Sequence, residues 1–181
     1  MGNQTLNGTG TGQPNGIFTQ LFNTTTNPAH TVATTLGSVG LVDVQNAWKA
    51  LPDRFRYNAH WIMHPTVLNK IADEVSSGGS MTEFRYNDQG VPLLRGRPVI
   101  ETQYAPAYVN TTATSQEFLT LVDLADGFLF VNRVPTIVEV APNAFAMAST
   151  GMPTMQRFLI HAPRVAFGLL DPLFGVILAN S

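Results

Sequence analysis

Cysteine is absent from this 181-residue chain, which excludes a disulfide framework, a thiol nucleophile and a cysteine-ligated zinc site. Charge is scarce as well. Ten Lys and Arg with twelve Asp and Glu make only 12% of the residues, against roughly a quarter in an ordinary soluble domain. A free-standing monomer keeps its surface wet with charged side chains, so the shortage points to surface that faces other protein. No block of Lys or Arg occurs, only the isolated pairs Arg54/Arg56 and Arg95/Arg97, and the net charge is −2. Both features argue against a dedicated nucleic-acid binder. The opening residues, MGNQTLNGTG, have neither the charged start nor the apolar core of a signal peptide. The apolar tract near the C-terminus is broken by Asp171 and Pro172 and is too short to span a bilayer.

Hydrophobic residues form 44% of the chain, enough to build a core for one domain or for a large and a small lobe. Residues 1–36 read as irregular, with Gly8, Gly10, Gly12, Pro14 and Gly16 followed by a Thr/Asn run, so loops and one short strand are expected. Leu41, Val44, Trp48 and Leu51 follow a helical spacing that Pro52 stops. His60–Met63 is short, apolar and extended; Pro65 then suits a helix start, with Val67, Leu68, Ile71 and Val75 as its apolar stripe. Residues 80–92 form a polar excursion, and Leu93–Thr102 predicts a strand around Arg95–Pro98. Phe118–Val122 and Phe128–Val131 read as strands joined by a tight turn at Ala125–Gly127. Strands at Thr136–Val140, Met155–Ile160, Arg164–Leu169 and Phe174–Leu178 complete the pattern, with a flexible stretch from Pro142 to Pro153. Helices early and strands late give an α+β fold class.

Little of this carries chemistry. Gly8-Thr-Gly10-Thr-Gly12 lacks the preceding strand, the following helix and the Lys-Ser/Thr pair of a phosphate-binding loop, and reads as a mobile turn segment. His60 and His64 are four apart, but they flank a strand rather than share a helix face, so they do not converge on one metal. Asp73 and Glu74 adjoin on a helix's wet face, Asp123 and Asp126 belong to a hairpin, and Asp171 caps a turn. Nothing assembles an acid, a base and a nucleophile, so no enzyme, cofactor or metal is expected. The competing enzyme reading would be a small metal-dependent one using His60, His64 and Asp73.

Five segments, in order, resemble the C-terminal part of tailed-bacteriophage major capsid proteins of the HK97-type fold. They are Asn7-Gly-Thr-Gly10 with Gly12-Gln-Pro-Asn-Gly-Ile17; Trp61-Ile-Met-His-Pro65 leading into Thr66–Ala72; Leu93-Leu-Arg-Gly-Arg-Pro-Val99; Phe128-Leu-Phe-Val-Asn-Arg133; and Arg164 to Ile177 with Asp171-Pro172 and Phe174. Val122 and Leu173 depart from the family pattern, which has Gly and Ala there. The resemblance implies an HK97-like α+β fold: a Gly-rich entry segment over residues 1–17, an axial domain of mixed sheet and helices over 18–133, and residual peripheral-domain strands and loop over 134–181. It implies a structural capsid subunit that partners copies of itself in pentamers and hexamers. Such a subunit contacts no membrane and no specific nucleic-acid sequence, is assembled in the bacterial host cytoplasm and resides in the virion. An encapsulin-like compartment shell is the alternative within the fold.

The resemblance also implies where subunits meet. The Ser76–Gly90 excursion is expected near the capsomer axis and ordered only by the lattice, and the uncharged Pro142–Pro153 loop near threefold contacts. Candidate subunit contacts are therefore Ser80, Met81, Phe84, Phe145, Met147 and Met152. Only six residues precede Asn7, so the N-terminal arm, extended loop and spine helix of such proteins are expected to be missing. The isolated chain is accordingly expected to be a monomer or weak oligomer.

Overall fold

The computed structural model describes residues 2–11, 13–22, 30–32, 38–76, 83–109, 117–134, 138–141, 146–147, 153–154, 158–161, 164–171 and 173–179. The chain divides into two units: residues 1–129 with 167–181, and residues 130–166. The first unit is built on a seven-stranded mixed sheet. Its strands, in chain order, are β1 (His30–Val32), β2 (His60–Met63), β3 (Phe84–Tyr86), β4 (Pro92–Leu94), β5 (Arg97–Glu101), β6 (Glu117–Val122) and β13 (Gly175–Ala179). Their spatial order is β1-β13-β6-β2-β5-β4-β3. β13 runs parallel to β1 and antiparallel to β6, while β2 runs antiparallel to β6 and parallel to β5. The α+β class expected from element order is therefore present, as a mixed sheet with helices.

The middle strands read as continuous apolar runs because both of their faces are covered. Trp61, Met63, Leu119, Leu121, Val176, Ile177 and Leu178 are inaccessible to solvent. Trp61 also satisfies its indole N–H there, donating to the Leu94 carbonyl at 2.9 Å. Two helices match the expected stripes closely. In α3 (Leu41–Ala50) the residues Leu41, Val44 and Ala47 face the core, and Asp43 accepts a hydrogen bond from the Gly40 N–H at 2.9 Å. In α5 (Pro65–Ser76) the four stripe residues Val67, Leu68, Ile71 and Val75 are all buried. The single-turn helix α4 (Asp53–Arg56) follows Pro52 and buries Phe55.

Four local expectations are corrected. Among the described residues of 1–36, two helices appear where loops were expected: α1 (Gly2–Asn7) and α2 (Ile17–Phe22) flank the Gly-rich segment, and Leu6, Ile17, Phe18 and Leu21 belong to the core. That segment is closed on itself rather than a mobile turn, with the Gly16 N–H donating to the Gly8 carbonyl at 2.7 Å and Thr9 bridging Asn15. The apolar residues of α2 are too few, between Gly16 and the Thr/Asn run, to show a helical period. Secondly, Arg95–Pro98 is not a strand centre. Arg95 (φ 51°) and Gly96 (φ 75°) form the two-residue turn of a β4–β5 hairpin, a conformation with positive φ at both central positions that matches strand twist. Thirdly, the described part of the 80–92 excursion is a hairpin of β3 and β4, its Asn87 side chain accepting from Gln89 and Val91 N–H groups.

The fourth correction lies at the end of β6. The strands on either side of Ala125–Gly127 do not pair with each other: β6 pairs with β13 and β2, and β7 (Phe128–Val134) with β12 (Arg164–Leu169). Between β6 and β7 stands a helical turn, α6 (Leu124–Gly127), capped by Asp123, whose Oδ1 accepts from the Ala125 and Asp126 N–H groups. Gly127 is required there because a Cβ would overlap the Phe174 side chain.

In the second unit, β8 (Val138–Ala141) pairs antiparallel with β11 (Phe158–His161). β9 (Ala146–Met147) pairs with β10 (Pro153–Thr154), so the Pro142–Pro153 stretch includes regular pairing. The chain rejoins the first unit at Phe167, and β13 sits between β1 and β6. In the described residues, no helix is long and apolar enough to cross a membrane.

Two outcomes are expected in urea unfolding. Gly127→Ala should cost about 3 kcal/mol by forcing Phe174 to move, whereas Gly90→Ala, at φ 77° with open space around it, should cost about 1 kcal/mol. Equal losses would show that the α6–Phe174 approach is not tight. The second concerns Glu117 at the start of β6, whose carboxyl burial pushes up from 4.5 to about 7. The folded chain then holds a proton that the unfolded chain releases near pH 4.5, so this group's contribution is full below that value and is lost as pH rises through about 7. Glu117→Gln should therefore be increasingly more stable than the parent chain between those values; a difference independent of pH would contradict the assignment.

Candidate functional site

The described residues divide the sequence-predicted contacts unevenly. Phe84 lies in edge strand β3, half-buried, packed against the core and edge-on to Tyr86 at 5.3 Å. Met147 lies in β9, opposite Pro153. Ser80, Met81, Phe145 and Met152 fall outside the described residues. The competing metal set is not brought together: among the described residues no three His, Asp or Glu side chains could hold a metal ion. His60 opens β2 and His64 follows its other end. His64 caps α5, its Nδ1 accepting from the Thr66 N–H at 3.2 Å, while Asp73 stands exposed on that helix. Asp171 does cap a turn, Oδ1 accepting from the Leu173 N–H at 2.8 Å.

Sequence reasoning missed a cluster that only the topology assembles. The two arginine pairs, some forty residues apart in the chain, meet on one side of the first unit. Trp48, on the half-buried flank of α3, stands between the Arg56 guanidinium of α4 at 5.6 Å and the Arg95 guanidinium of the β4–β5 turn at 5.8 Å. Arg97, opening β5, donates to the Tyr57 carbonyl at 2.5 Å and lies 5.7 Å from that residue's ring. Arg54 covers Phe55 at 4.5 Å and pairs with Asp171 at 2.5 Å. Arg56 pairs with Asp53 and Arg95 with Glu83, and Arg56 also donates to the carbonyls of Leu51 and Lys49. Tyr57, 78% exposed, completes the surface. The available signal was aromatic: each arginine pair is interleaved with, or reaches, Trp48, Phe55 or Tyr57.

Arginine, tryptophan and tyrosine held rigidly over one another are the side chains over-represented at the centres of protein–protein interfaces. Beside them an open, largely apolar depression of 510 Å³ is lined by Asn58, His60, Ile100, Leu124 and Ala125. It presents one imidazole and one amide, and none of these five lining residues is a carboxylate. The side chains gathered here are of the kinds that bind another protein surface.

Sequence comparison with curated proteins finds no match. Among solved structures, the chain is similar to the capsid protein of a native GTA particle computed with C5 symmetry, with TM-score 0.65 and 16% identity over 99% of this chain and 60% of that one. It is similar to the SrpI encapsulin of Synechococcus elongatus PCC 7942, with TM-score 0.58 and 13% identity over 92% of this chain and 56% of that one. The capsid of cyanophage P-SCSP1u matches at TM-score 0.50 and 11% identity, over 83% of this chain and 51% of that one. The chain thus spans about 60% of the length of the GTA protein, and these likenesses establish the HK97-like fold. The Phage capsid family matches residues 1–163, nine-tenths of the sequence, and the chain belongs to that family.

Proposed function

We propose that this chain is a structural subunit of an icosahedral viral or prophage capsid, acting by self-association rather than catalysis. The observation that carries the reading is the joint one of family and fold: a phage-capsid match through residue 163 and a capsid-subunit fold along 99% of the chain. The 12% charged fraction and the arginine–aromatic surface support it independently. On this reading the seven-stranded unit corresponds to the axial domain and residues 130–166 to part of the peripheral one. Ser80, Met81 and Phe84 then serve contacts near the capsomer axis, and Phe145, Met147 and Met152 contacts at the rim. The protein's place is the virion, after assembly in the host cytoplasm.

An encapsulin-like shell is the second reading, favoured by the SrpI likeness. Neighbouring reading frames separate the two, because portal, protease and terminase genes accompany a phage capsid.

The self-association itself is directly measurable. The purified chain should sediment as a monomer at roughly micromolar concentration and shift reversibly toward small oligomers near about 100 µM, the range in which modest interfaces form. Metal analysis of the same sample should show no stoichiometric ion. A chain that stays monomeric throughout, or one that carries stoichiometric zinc or iron, would overturn the structural reading.

A further inference from the structure

The β3-β4-β5 meander is electrically polarised. The register pairs Phe84 with Leu94 and Leu94 with Arg97, so the Arg95–Gly96 turn lies at one end of the three strands. The turn between β3 and β4, and the last residue of β5, lie at the other. Arg56, Arg95 and Arg97 gather at the first end around Trp48 and Tyr57; Lys49 follows Trp48 in α3, its carbonyl accepting from Arg56, and Arg54 stands two residues before Arg56 in α4. The second carries Asp88 and Glu101, both exposed, with Tyr86 at 62% and Tyr104 at 54% exposure beside them in sequence. Four residues of strand, or about 13 Å, separate Arg97 from Glu101.

The ion pairs make this polarity specific. At the basic end Arg54, Arg56 and Arg95 are each neutralised by a carboxylate of the same chain: Asp171, Asp53 and Glu83. Lys49 and Arg97 have no carboxylate partner among the described residues. At the acidic end neither Asp88 nor Glu101 has a cation partner among the described residues. Two unpaired cations thus stand at one end and two unpaired carboxylates at the other, with the exposed Arg85 of β3 between the ends, and Tyr57, Tyr86 and Tyr104 are exposed nearby in the chain. Both ends are held: Arg97 by its bond to the Tyr57 carbonyl, Asp88 by the Asn87 side chain that closes its turn.

We propose that the two ends are the complementary halves of one head-to-tail interface, in which Lys49 and Arg97 of one copy meet Asp88 and Glu101 of the next. The inference deepens the self-association reading and rests on it. A second copy fits better than nucleic acid, because three of the five cations are already neutralised, whereas a phosphate-binding surface gains affinity from each free charge it presents. Ends that differ within one chain pair heterologously, which is the geometry of a closed ring around an axis. Charge pairs fix the register, and the tyrosines and Trp48 supply apolar area.

Sedimentation velocity on the full chain tests this by charge reversal. Lys49→Glu/Arg97→Glu and Asp88→Lys/Glu101→Lys should each weaken self-association by roughly tenfold or more at about 0.1 M salt, and carrying all four reversals should bring it back to within about threefold of the parent. The milder Asp88→Asn/Glu101→Gln should show a partial loss, which guards against a reversal that merely unfolds the turn. If the parent chain associates and the double reversals leave it unchanged, the interface is misplaced while self-association stands. If the parent stays monomeric at every concentration, both fail. Binding of a labelled duplex DNA that disappears in Lys49→Glu/Arg97→Glu, with self-association intact, would assign the basic end to phosphate and overturn the proposal.

Discussion

Strand β13 hydrogen-bonds to β1 on one side and β6 on the other, and Val176, Ile177, Leu178 and Ala179 are buried on both faces. It comes from the last seven residues of the chain, yet it occupies the sheet's interior. Helices α2 and α3 both pack on it. Without it, β1 has no neighbour in the sheet and two helices lose the surface that receives Phe18, Leu21 and Val44. Pairing elements so distant in sequence requires the loop-closure entropy to be met before the contacts form. The long apolar strand and close packing against Gly175 are what offset it.

The chain is tightly constrained at the point where that strand enters. The Asp123 N–H donates to the Phe174 carbonyl at 3.0 Å, Gly127 N–H to the Asp123 carbonyl at 3.2 Å, and Leu170 N–H to the Gly127 carbonyl at 3.0 Å. Phe128 stacks with both Phe167 and Phe174, with ring centres 6.0 and 6.4 Å away. Within the first unit, one acidic cap, one glycine and three phenylalanines therefore tie residues 122–128, 167–170 and 174–175 together. The buried Asp123 keeps one carboxylate oxygen without a partner among the described residues; the two N–H groups on the other oxygen are what hold it there.

What was legible in the sequence follows from this arrangement. Helices α3 and α5 and strand β2 were readable because each carries its own periodicity within a dozen residues. The α2 helix, six residues between Gly16 and the Thr/Asn run, is too short to show a period, and its Phe18 and Leu21 become meaningful only once β13 is beneath them. The supposed hairpin at Ala125–Gly127 failed for a related reason. Two adjacent strands with a turn between them pair by default, and nothing local in Phe118–Phe130 says that a strand fifty residues on will take β6's free edge. The arginine–aromatic surface was invisible because each of its pairs is ordinary alone; the three-strand meander brings Arg95 and Arg97 to Trp48 and Tyr57.

The scarcity of charge also acquires a structural meaning. A surface densely coated with lysine and glutamate would satisfy solvent everywhere and would give any two copies many near-equivalent ways to meet. In this chain three arginines are locked onto aromatics and neutralised internally, so they act as rigid, partly apolar planes rather than as free charge. The few charges left unpaired then carry disproportionate information, because a misaligned copy would leave them desolvated without a partner. In the proposed interface, apolar area sets how strongly copies adhere, and Lys49, Arg97, Asp88 and Glu101 set how they are turned relative to one another. A shell that must close needs the second property as much as the first, since an interface of correct strength but undefined rotation yields open aggregates.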